Sequence, residues 1–178
     1  MEEKGITNLY IDQLMNKISS SHRGTFLCDT IPHFNDQDFS LIINLSKHNE
    51  EGSHLISKFI LRAKIIYFDP FGIKSNNPYI NKYLSNYNKK IIYSKKPVQH
   101  ILSSHCGFFV MSFILFVEKH KSLAKYLSLF NTKKLISNDY ICTEIIKYYI
   151  KSTHMNNNLN EICKNKNNHD KSKINKLK

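Results

Sequence analysis

Residues 106–120 read CGFFVMSFILFVEKH, and the way this run has to be buried decides the fold. From Gly107 to Val117 nearly every side chain is apolar, so a helix built from it has no solvated face and must be surrounded. The apolar part is about half of the roughly 20 residues that cross a bilayer, which makes it a core element rather than a membrane span.

The surroundings are readable outward from that helix. Upstream, 39–46 (FSLIINLS), 53–61 (SHLISKFIL), 63–69 (AKIIYFD) and 91–94 (IIYS) are short, β-branched or aromatic, and bounded by Gly, Pro, Asn and Ser. They predict strands, the middle two pairing as a hairpin across Arg62. A polar segment at 78–87 predicts a short helix. Thr7 predicts the cap of a helix over 8–18, where Ile11, Leu14, Met15 and Ile18 share a face and the polar SSSHRG ends it. Downstream, helices are expected at 121–130 and 138–150, the latter capped by Asn138 or Asp139 with a stripe of Ile141, Ile145 and Tyr148. No internal repeat is visible. The expectation is one α+β domain over 1–150 with a single sequestered helix.

Composition narrows the class. Hydrophobic residues make up 41% of the 178, enough for a core, yet the formal net charge is +12. Residues 151–178 hold seven Lys and eight Asn with few apolar side chains, a composition expected to remain a disordered tail. The tail carries +5 of the charge, leaving +7 on the body. The acidic, polar start (MEEKGITNLY) lacks the order of a secretory signal, so a reducing compartment is expected. Cys28, Cys106, Cys142 and Cys163 show no CxxC and no zinc-ligand spacing, so they read as free thiols and no metal is expected.

Four residues carry candidate chemistry. Cys106 opens the predicted buried helix, where the positive end of the helix dipole favours thiolate over thiol. Gly107 beside it would let a substrate backbone come close. His54 (GSHL) and Asp69 (YFDPFG) lie near the same end of the predicted hairpin, where an imidazole and the carboxylate that orients it belong. Gln99, in the turn-like KKPVQHILSSHCG, could join the Cys106 N–H in holding an oxyanion. Each has a plainer reading: a small core Cys, a surface His, a turn Asp before Pro, a loop Gln. His100 and His105 compete as bases, although neighbouring side chains such as those of His105 and Cys106 diverge.

Taken together, His54 (GSHL), Asp69 (FDPFG), Gln99 and Cys106 (HCGFF), in that order, resemble the adenovirus-type cysteine proteases, or adenains, with their relatives in adenovirus-like viruses and Maverick/Polinton elements. GTFLCDTIP at 24–32 also resembles an early segment of that family. The resemblance covers about residues 5–150 and implies a mixed sheet with a buried central helix carrying the nucleophile at its N-terminus. It implies Cys106 as nucleophile, His54 as general base and acid, Asp69 as the group orienting His54, and Gln99 as an oxyanion donor. It further implies an endopeptidase that processes viral or element-encoded capsid and core precursors during virion maturation. The expected setting is the virion and the host nucleus or a cytoplasmic virus factory, and the expected state is a monomer without a membrane partner.

The departures are specific. Leu55 stands where the family commonly has Trp after the His, and the acid is Asp69, where the adenovirus enzymes themselves usually have Glu and relatives tolerate Asp. Residues 85–98 contain no Cys, so activation by a disulfide-linked viral peptide is not expected, whereas activation by DNA or a noncovalent peptide is compatible with the sequence. The chemistry itself calls for no cofactor. Two alternatives stand beside this reading. SUMO-deconjugating proteases share the residue order but differ in the residue after the His and in the Gln to Cys spacing. A basic nucleic-acid-binding domain would account for the charge, with Lys runs at 89–96 and in the tail, but no recognition motif supports it.

Overall fold

The computed structural model describes residues 6–35, 38–50 and 52–153. The chain divides into two units, Met1–Ile146 and Lys147–Lys178, the second described only over 147–153, which are helical. Of the tail expected from Lys151, residues 154–178 lie outside the described residues.

The first unit begins with helix α1 (Asn8–Ile18), and Thr7 is its cap, the side-chain oxygen accepting from Tyr10 N. Strand β1 (His22–Leu27) follows, then β2 (Phe39–Asn44), β3 (Leu55–Ile60) and β4 (Lys64–Phe68). Helix α2 (Pro78–Ser85), strand β5 (Lys90–Tyr93), the central α3 (Cys106–His120) and the short α4 (Leu123–Leu127) complete the order before a last helix, α5, at 138–146. The five strands form one mixed sheet in sequence order: β2/β3 and β3/β4 are antiparallel, whereas β1/β2 and β4/β5 are parallel. The second parallel pair is joined by a crossover containing α2, the connection that parallel neighbours require.

Both faces of the sheet are covered, which is why every residue of β2 and β3 is buried. The alternation of side chains sorts them. Phe39, Leu41, Ile43, Ile56, Ile60, Ile65 and Tyr67 pack with Ile80, Tyr83 and Leu84 of α2 in one core cluster. On the other face α3 packs across β3, and Phe68 stacks on Phe113 with ring centroids 4.6 Å apart. Ser112, a fully buried polar side chain of α3, donates to Phe109 O and shares a 2.8 Å hydrogen bond with Tyr126 OH. At the far end, Glu118 receives the hydroxyls of Ser19, Ser20 and Ser21, tying α3 to the turn before β1.

Three expectations are corrected. The segment read as a polar break after α1 enters a strand at His22. β1 carries few strongly apolar residues because it is an edge strand, with a register irregularity between His22 and Thr25. Asn138 is not a helix cap but a fully buried residue. Its amide donates to Val98 O and Asn131 O, both at 2.8 Å, and accepts from Asn131 N. Four and eight residues on, Cys142 and Ile146 are the buried side chains of α5, whereas Ile141 and Ile145 of the expected stripe are half-buried.

Candidate active site

The hairpin delivers the first pair. In the β3/β4 register Ser57 faces Phe68 and Lys58 faces Tyr67, so the residues before β3 and after β4 meet at one end. There His54 Nε2 lies 3.0 Å from Asp69 Oδ1. Asp69 is buried, with 4% of its side chain exposed against 17% for His54, so solvent screens the pair weakly.

The DPFG sequence that follows β4 has a task for each residue. Asp69 Oδ1 also accepts from Phe71 N at 2.8 Å, and Gly72 N closes the turn on Asp69 O at 2.9 Å. Pro70 O accepts from both Val98 N (2.9 Å) and Gln99 N (3.1 Å), which fastens the turn to the segment carrying Gln99. The Phe71 ring stacks on His54 with centroids 4.5 Å apart. Gly72 has φ +70°, and a Cβ there would meet Lys96 C and Pro97 N at 2.8 Å, so only glycine permits this approach. From behind, Ser94 Oγ accepts from Asp69 N (3.0 Å) and donates to Asp69 O (3.1 Å), holding the backbone of the acid.

Cys106 is the first residue of α3 and is partly exposed. His105, at the N-cap, makes no side-chain capping hydrogen bond. Cys106 shares the cleft with His54 and acts on its protonation. Since Nε2 is engaged by Asp69, Nδ1 is the nitrogen left for the sulfur. Burial pushes the imidazolium down, but hydrogen bonds and charge from Asp69 and Cys106 outweigh it, and the His54 pKa rises from 6.5 to about 9.

Gln99 is buried and lines the same cleft. Its Nε2 donates to Ser103 O at 2.7 Å, which fixes the amide and leaves the second amide proton unassigned; its Oε1 has no hydrogen-bond partner. The competing bases are engaged elsewhere. His100 Nδ1 accepts from Leu102 N, and His105 Nδ1 is 3.5 Å from Asp139 Oδ2.

The cleft has a volume of about 590 Å³ and brings His54, Gln99 and Cys106 to one surface, with Asp69 behind His54. The Ile6 side chain packs over Gly107, its Cγ1 and Cδ1 2.6 Å from where a Cβ on Gly107 would be, so the glycine makes room for Ile6. Phe71 and Ser94 were missed by the sequence reading, and Asn138 was read only as a candidate cap. Phe71 was within reach of it, because continuing the β3/β4 register places residue 71 opposite residue 54. Ser94 and Asn138 act across 25 and 40 residues and left no local signal.

Among the described residues no group of His, Cys, Asp and Glu is arranged to hold a metal, and no helix is long and apolar enough to cross a membrane. No family model and no curated protein matches the chain. Solved structures do. The crystal structure of the selenomethionine ASFV pS273R protease superposes with a TM-score of 0.50 at 16% identity, covering 76% of this chain and 67% of that one. The likeness is one of fold: a mixed α+β arrangement of a five-stranded sheet with helices in this chain.

Proposed function

We propose that the chain is a cysteine endopeptidase with Cys106 as nucleophile, His54 as general base and acid, Asp69 as its orienting carboxylate and Gln99 as an oxyanion donor. The observation that carries this reading is the Asp69–His54 hydrogen bond beside the cleft that His54 lines together with Cys106, the first residue of α3. In this reading His54 takes the thiol proton through Nδ1, while Asp69 stabilises the imidazolium formed. The sulfur attacks the scissile carbonyl, and the Cys106 N–H and the second amide proton of Gln99 hold the oxyanion. His54 returns its proton to the leaving amine, and a water activated by the same imidazole hydrolyses the acyl-enzyme.

The substrates we propose are viral or element-encoded capsid and core precursors cleaved during virion maturation. The motif order supports this, as does the likeness in fold to a protease of ASFV. The +7 of the body would add nonspecific DNA contact, to be seen as binding that weakens steeply between about 50 and 200 mM salt; insensitivity to salt would remove this part of the proposal. The test of the activity is incubation of the purified protein and its Cys106→Ala variant with a mixed peptide library. New termini produced by the wild type alone support the reading, and equal cleavage by both discards the nucleophile.

A further inference from the structure

One loop carries both candidate oxyanion donors, and two consecutive residues of α5 fasten its ends. The loop runs from Val98 to the start of α3, with the Gln99 amide near its beginning and the Cys106 N–H at its close. At the first end the buried Asn138 donates through Nδ2 to Val98 O at 2.8 Å. At the second, Asp139 Oδ2 lies 3.5 Å from Nδ1 of His105, the residue before Cys106. Asn138 and Asp139 open α5, so both fastenings start from one turn of helix.

The loop is also tied across its middle. Gln99 Nε2 donates to Ser103 O at 2.7 Å, and His105 N donates to Ser103 Oγ at 3.2 Å. A shift at either end is therefore passed through Ser103 to the other. Pro70 O accepts from Val98 N and Gln99 N, so Val98 is held between α5 and the turn that follows Asp69.

Stability does not account for Asp139. Its Oδ1 is buried and has no hydrogen-bond partner among the described residues, and an unpaired buried carboxylate oxygen is unfavourable. Such an oxygen, next to the residue that leads into Cys106, calls for a role other than holding the fold together. Neither Asn138 nor Asp139 lines the cleft, so that role is exerted through the loop.

We propose that Asn138 and Asp139 are positioning residues of the oxyanion hole: by holding Val98 and His105 they set the separation between the Gln99 amide and the Cys106 N–H. The inference rests on the endopeptidase reading and goes beyond it, placing control of the two donors in a helix outside the cleft. A displaced donor loses much of its hold on the charge that develops on the carbonyl oxygen. Thiolate formation at Cys106 draws on His54 and is left in place.

The test follows two reactions of the same cysteine in wild type, Asp139→Asn and Asn138→Ala, and in each variant combined with Gln99→Ala. Cleavage of a peptide found cut in the mixed library passes through an oxyanion, whereas alkylation of Cys106 by iodoacetamide does not. Asp139→Asn is expected to lower kcat about tenfold to hundredfold with little change in KM, while Cys106 alkylation stays within about twofold of wild type. Added to Gln99→Ala, either substitution should lower kcat by less than about twofold further, because the separation it sets no longer matters. Asn138→Ala strips partners from Val98 O, Asn131 O and Asn131 N, so the shape-preserving Asp139→Asn decides the matter if that variant does not fold. An unchanged kcat in Asp139→Asn, alkylation that falls in step with kcat, or losses that multiply in full on Gln99→Ala would overturn the positioning role and leave the endopeptidase reading standing. Absence of Cys106-dependent cleavage by wild type would instead refute the endopeptidase reading, and the positioning role with it.

Discussion

Replacing Asp69 by Asn removes a charge while leaving the shape of the site. An Asn oxygen can still accept from His54 Nε2 and from Phe71 N, the two donors now at 3.0 and 2.8 Å, so the turn and the imidazole keep their places. What changes is the proton on His54. Burial opposes the imidazolium, and hydrogen bonding to Asp69, strengthened by its charge, is the largest influence lifting its pKa from 6.5 to about 9, with Cys106 adding to it. That rise corresponds to about 3 kcal/mol of preference for the protonated form in the folded chain. The stabilisation is fully present below pH 6.5 and is lost as pH climbs through about 9. Denaturant unfolding of both proteins across that range should therefore show wild type losing up to about 3 kcal/mol more than Asp69→Asn. An NMR titration of the His54 ring should read an apparent value near 9 in wild type and one closer to or below 6.5 in the variant; because the groups are coupled, Cys106→Ala should produce a smaller fall. Parallel stability profiles with an unmoved His54 titration would refute the claim that Asp69 governs the imidazole.

Three further outcomes are expected. Gln99→Ala should lower kcat by about 10² to 10³ with little change in KM, because the lost donor acts on the oxyanion; a KM effect alone would remove that role. Gly72→Ala should cost about 2 to 4 kcal/mol by thermal unfolding and depress activity, since the new Cβ is driven against Lys96 and Pro97 in the turn that carries Asp69. Lys58→Met should stabilise. The Lys58 amine is fully buried without a hydrogen-bond partner, 5.4 Å from the centre of the Tyr83 ring, and burial pushes its pKa from 10.5 down to about 7. The penalty on the wild type, at most about 5 kcal/mol, is full below pH 7 and relieved as pH rises toward 10.5, so the gain measured by denaturation should shrink over that interval.

The elements legible in the sequence were those whose signal is local. Thr7 and the apolar face after it marked α1, and a run apolar on every side marked α3 from Cys106 to His120. The hairpin across Arg62 brought His54 and Asp69 together because antiparallel pairing fixes both partners once the turn is placed. β1 stayed hidden, for HRGTFL is half-exposed at a sheet edge and is ordered by pairing with β2 rather than by its own pattern. The burial of Asn138 was missed because its amide bonds Val98 O, 40 residues away, a partner that no local pattern reveals. The space over Gly107 could not be read either, since Ile6 reaches it from about a hundred positions away.

The central claim is that Cys106 is a nucleophile activated by His54, and its reaction with a peptide vinyl sulfone tests this most directly. The account predicts one adduct per chain, located on Cys106 by digestion and mass spectrometry, with Cys28, Cys142 and Cys163 unmodified and the labelling rate sharply reduced in His54→Ala. Labelling spread over all four cysteines, or a Cys106 rate indifferent to His54→Ala, would contradict it.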